Sequence, residues 1–75
     1  MDIKGVQNKI VINILNHMEK NNQKVSSITT KTNISEERLT KILDIDAERT
    51  ITLAEVYAIS KAIGLPFHKA MDIKK

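Results

Sequence analysis

Not one of the 75 residues is a cysteine or a tryptophan, and proline, tyrosine and phenylalanine occur once each. Without cysteine there can be neither a disulfide nor a thiolate metal site, and such usage suits a reducing cytoplasm. His17 and His68 stand far apart, with no paired acidic motif. That argues against a structural metal site, which needs four well-spaced ligands; both are expected to be ordinary surface histidines. No serine sits in a glycine-rich elbow and nothing resembles a nucleotide-type phosphate-cradling loop, so neither an enzyme nor a cofactor or small-molecule ligand is expected. Hydrophobic runs are short. None approaches the ~18 residues of a membrane span, and the opening MDIKGVQNK lacks a signal peptide's apolar stretch. The chain reads as an intact cytoplasmic protein. Charge is modest too: 12 Lys+Arg against 9 Asp+Glu leave +3, which permits phosphate binding without requiring it.

What the chain has is apolar residues at helical spacing. Its length allows one domain, residues 1–75, whose folding buries roughly 60% of the unfolded surface. In VQNKIVINILNHMEKNN, Val6, Ile10, Val11, Ile14, Leu15 and Met18 fall at three- and four-residue steps. This predicts a first helix over about 6–20, closed by Asn21 and Asn22. VSSITTKT predicts a shorter helix at about 25–32. Its β-branched residues would equally suit a strand, but its neighbours are helical. Asn33 tolerates the left-handed geometry of a tight inter-helix turn.

Ser35 can cap a third helix with Leu39, Ile42 and Leu43 inward, ending near Asp44 or Ile45. A polar connection, DIDAERTI, follows. TLAE then fits a capping box, with Thr52 as cap and Glu55 reaching back. Leu53, Val56, Tyr57, Ser60 and Ile63 are the expected inward face of that fourth helix. Gly64 and Pro66 stop it, and FHKAMDI forms a last turn or short helix. The expectation is all-α, with four to five helices and a helix-turn-helix at about 25–44.

At this point VSSITTKTNISEERLTKI and LAEVYAISKAIGLPF together resemble the Cro and lambda-repressor-like helix-turn-helix family, also called the Xre family. The resemblance covers about residues 6–72. Ile28, Ile34, Leu39 and Ile42 match its apolar pattern, although the loop before Thr52 is about two residues longer than usual. Val25 stands where the family usually has a phosphate-holding glutamine, Thr29 where it favours alanine, and Asn33 and Ile45 where it has glycines. Met18 and Leu43 replace an arginine–glutamate pair frequent in the family. Exchanging both members of such a pair for apolar side chains is tolerated, whereas exchanging one strands a charge.

The resemblance implies a small DNA-binding repressor of phage or mobile-element type, occluding promoters as a homodimer. Ser35, Glu36, Glu37, Arg38 and Lys41 would face the major groove of double-stranded DNA. Lys24, Ser26, Lys31 and the N–H groups opening helix two would take phosphates. Phe67, Met71 and Ile73 would either close the core or form the dimer patch.

One feature opposes that reading. Between Glu36 and Arg49 five acids (Glu36, Glu37, Asp44, Asp46, Glu48) face three bases (Arg38, Lys41, Arg49), a local −2, while the rest of the chain carries +5. A DNA-binding surface concentrates positive charge. Acids in a first turn also favour the helix dipole, and Glu37–Lys41 has the spacing of an ordinary helix pair, so neither needs DNA to explain it. The alternative is a helix-turn-helix that docks a protein partner instead.

Overall fold

The computed structural model describes residues 3–72, all of whose regular structure is helical: α1 (Ile3–Lys20), α2 (Val25–Thr32), α3 (Glu36–Ile42), α4 (Leu53–Ile63) and α5 (Phe67–Ala70). The all-α expectation of four to five helices is met with five. α1 starts three residues earlier than its apolar repeat suggested, and α3 ends at Ile42 rather than near Asp44 or Ile45. Leu43 then closes α3, its N–H donating to the Leu39 carbonyl.

Three left-handed residues turn the chain between helices: Asn22 (φ 54°), Asn33 (φ 63°) and Gly64 (φ 77°). At Asn22 and Gly64 the next residue reaches back five positions, Gln23 N–H to Met18 O at 2.8 Å and Leu65 N–H to Ser60 O at 2.9 Å. These bonds satisfy helix-end carbonyls that would otherwise be orphaned. The start signals hold as well. Ser35 Oγ accepts from Arg38 N–H, and Thr52 and Glu55 form the full reciprocal capping box.

α4 is the hub, packing against α1, α2 and α5, while α3 leans on α2. Val11, Ile14, Ile28, Leu39, Ile42, Val56 and Ile59 form the dry centre. Met18 and Leu43 are both buried in the same cluster. Fully burying each large aliphatic side chain contributes roughly 1.5–3 kcal/mol.

The inward face of α4 differs from the expected one. Val56, Ser60 and Ile63 are buried, but Leu53 is 63% exposed and Tyr57 53%, and Ile59, which the expected face omitted, is fully buried. The inward arc is therefore 56–59–60–63. It is rotated away from Leu53 and Tyr57, and Ile59 lies within the packing of α4 against its neighbouring helices. Tyr57 instead lies against Phe67 edge to face, ring centroids 5.7 Å apart.

Candidate nucleic-acid interface

The α2–turn–α3 unit begins with a segment of low helix propensity. Its threonines are accommodated because their hydroxyls bond one turn back: Thr29 to Val25 O, Thr30 to Ser26 O and Thr32 to Ile28 O, at 3.1, 3.1 and 2.8 Å. Thr32 Oγ1 also accepts from Ile34 N–H at 3.2 Å, which fixes the turn around Asn33. Ile28, Leu39 and Ile42 bury the inner side of the unit, with Val25 and Ile34 packed beside them.

The outer edge of α3 then presents Ser35, Glu36, Glu37, Thr40 and Lys41, all exposed. Four of these are expected groove-facing residues. Glu37 and Lys41, despite their helical spacing, form no ion pair; both are solvated, where such a pair gains little.

Arg38, the fifth expected groove contact, is turned elsewhere. Its Nε donates to Glu55 Oε2 at 2.8 Å and its Nη2 to Glu55 Oε1 at 2.9 Å and to Thr50 O at 2.8 Å. The shared hydrogen bonds hold the Glu55 carboxyl below the usual carboxylate range, against the effect of its partial burial. The same pairing raises Arg38. Arg38 is thus a tie between α3 and α4.

The expected phosphate residues do not gather. Lys24 and Ser26 are exposed at the start of α2, where Lys24 is the N-cap and no side chain caps the helix. Lys31 lies seven residues on from Lys24, about 10 Å along the axis, with Nζ 3.4 Å from Ala62 O on α4. Of the dimer candidates, Phe67 and Met71 are half-buried against the core. Ile73 lies outside the described residues.

The connection after α3 is held from within. Arg49 donates to Ile42 O through Nε and Nη2 (3.2 and 2.8 Å), and its Nη1 to Asn8 Oδ1 at 3.1 Å and Ala47 O at 3.3 Å. Gln7 brackets the same loop, donating to Arg49 O at 3.1 Å and accepting from Ile51 N–H at 2.8 Å. Sequence reading counted Arg49 among outward bases. With Arg38 and Arg49 both engaged, the stretch 36–49 exposes five carboxylates and a single lysine, Lys41.

Further anchors were missed. Asn13 Nδ2 donates to Ala70 O at 3.0 Å and Asp72 O at 2.9 Å, tying α1 to the chain end. His17 is half-buried rather than a plain surface residue, its Nε2 3.0 Å from Ile63 O, which also accepts from Gln23 Nε2 at 3.2 Å. The available signal was position: Gln7, Asn13 and His17 border the apolar stripe of α1. Among the described residues no helix is long and apolar enough to cross a membrane. Comparison of this chain with protein-family models, with curated proteins and with solved structures found no match.

Proposed function

We propose that this protein is a sequence-specific DNA-binding regulator of the Cro and lambda-repressor-like kind, a cytoplasmic repressor that occludes operator DNA as a homodimer. The observation that carries the reading is the α2–turn–α3 unit. A left-handed Asn33 and a Ser35 cap hold a short helix whose inner side is locked by Leu39 and Ile42, leaving Ser35, Glu36, Glu37, Thr40 and Lys41 outward. Such an edge fits a major groove, in which a glutamate can accept from the cytosine amino group and a lysine can reach guanine or phosphate. The uncapped start of α2, with Lys24 and Ser26, supplies backbone and side-chain donors for a phosphate.

A second reading is favoured by one observation. Because Arg38 and Arg49 are engaged internally, the outward charge of 36–49 is more acidic than composition suggests. That surface would dock a basic protein partner.

Fluorescence anisotropy with upstream and random duplexes at low salt separates the two. As a DNA binder the protein loses affinity steeply with salt. Lys41→Ala weakens binding about tenfold, Lys24→Ala lowers the salt slope by about one, and Glu36→Gln with Glu37→Gln strengthens non-specific binding several-fold. A wild type that shifts no duplex even at low salt would overturn the DNA reading. Loss of a basic partner on Glu36→Lys with Glu37→Lys would establish the other.

A further inference from the structure

Where the end of α2 meets α4 the surface is hollowed into an open groove of about 510 Å³, lined by Lys31, Thr32, Tyr57, Ala58, Lys61 and Ala62. Its shape comes from the sequence of α4. Tyr57 and Lys61 stand one turn apart, and Ala58 and Ala62 make a second row, also one turn apart, beside them. Both alanines are half-buried and too short to fill the space beside α2, so they leave an apolar floor. Tyr57, one of only two aromatics in the chain, borders that floor with more than half its surface exposed.

The charge of the groove is of one sign. α2 contributes Lys31 and α4 contributes Lys61, and no carboxylate lines it. Neither ammonium belongs to an ion pair among the described residues. Lys31 Nζ reaches only a backbone carbonyl, Ala62 O, at 3.4 Å, which is long for a hydrogen bond. Two cations from different helices thus flank an apolar floor without an anion between them.

We propose that this groove takes a short acidic segment of another protein. An apolar side chain rests on Ala58 and Ala62 against the Tyr57 ring, and carboxylates on either side of it reach Lys31 and Lys61. The lysines select the sign of the partner, and the floor selects its class. A nucleic-acid backbone would satisfy the ammonium groups yet leave the alanines and the ring uncovered, since its outer surface is phosphate and sugar. A small molecule gains affinity by being largely enclosed, and this groove is open. A peptide offers both kinds of group in alternation, and an exposed tyrosine is a residue type that anchors such contacts. The partner is opposite in sign to the one that would suit the stretch 36–49. It requires neither DNA binding nor a dimer.

The test selects binders from a displayed library of random peptides of about twelve residues, with the folded full chain as bait. The selected peptides are then titrated by fluorescence anisotropy and by NMR of the labelled protein. The expected winners carry Asp or Glu on both sides of a large apolar residue, and they shift the amide signals of Lys31, Thr32, Ala58, Lys61 and Ala62. Lys31→Glu combined with Lys61→Glu should weaken them at least about tenfold. Ala58→Leu fills the floor without altering the charge and should do the same. Far-UV circular dichroism checks folding, and Lys31→Ala with Lys61→Ala serves if the charge reversal does not fold. Selected peptides without acidic bias, affinities indifferent to these variants, or shifts confined to α3 would overturn the proposal. So would movement of the same amides on adding duplex DNA, or on raising the concentration of the protein alone, which would assign the groove to nucleic acid or to a second copy.

Discussion

Arg38 and Glu55 face each other across the junction of α3 and α4, joined twice: Nε to Oε2 at 2.8 Å and Nη2 to Oε1 at 2.9 Å. Oε1 also accepts from the Thr52 N–H at 3.0 Å, so one carboxylate both caps α4 and holds the helix before it. The angle of α3 therefore depends on a residue seventeen positions away.

A double-mutant cycle measures this tie. Arg38→Ala and Glu55→Ala should each destabilise the fold, the glutamate more, by about 1–2 kcal/mol, because its loss also opens the cap. Solvent screening at an Arg38 side chain still 35% exposed keeps the coupling near 0.5–1 kcal/mol. Urea unfolding of the four proteins gives the value, and a coupling of zero would show that the pair is incidental.

The same carboxylate gives stability an acid dependence. The Arg38 hydrogen bonds, helped by the Thr52 N–H, place the Glu55 pKa below its ordinary value. A depressed carboxylate stabilises fully above the unfolded value, about 4.3, and loses that contribution as pH falls through the folded value. Wild type should exceed Glu55→Gln in stability at neutral pH, and the gap should close as the pH drops below about 4. A gap that stays constant down to pH 3 would rule this out.

Arg49 is a structural residue in a loop that looks polar and free. Truncating it strands the Ile42 carbonyl and releases the bracket with Asn8, so Arg49→Ala should cost about 1–3 kcal/mol in denaturant unfolding. Arg49→Lys should recover less than half, because one ammonium cannot reproduce a planar fork of donors. Faster amide exchange at Ile51, whose N–H is held by Gln7, is the local signature to seek.

Ser60 should be improvable. Its hydroxyl is buried, at 1% exposure, and finds no hydrogen-bond partner among the described residues. Ser60→Ala removes that burden and favours the helix, and should stabilise by roughly 0.5–1.5 kcal/mol. A loss of stability would mean that the hydroxyl has a partner after all, such as a buried water.

The elements that could be read from the chain are those set by neighbouring residues. The bounds of α2, the caps at Ser35 and Thr52 and the left-handed Asn33 and Gly64 each follow from a few adjacent side chains. Which way α4 would roll depended on how the other helices pack around it, and three- and four-residue spacing fits several arcs. Arg38 and Arg49 were misjudged as outward bases for a related reason. A basic side chain beside carboxylates looks solvated until a distant carbonyl or glutamate is known to lie within reach. At the candidate interface the helix carrying Ser35, Glu36, Glu37 and Lys41 was legible, and the fate of the arginine between them was not.

With both guanidinium groups turned inward, every fully exposed, permanently cationic side chain among the described residues is a lysine. An ammonium is a point donor and cannot clasp the two acceptors of a guanine edge as a fork does. Discrimination between bases would then fall to the carboxylates and hydroxyls of α3, with amines supplying only attraction. Outward charge and internal framework are also chemically separable. An acylating reagent that caps amines would strip the cationic surface and leave both arginine ties standing.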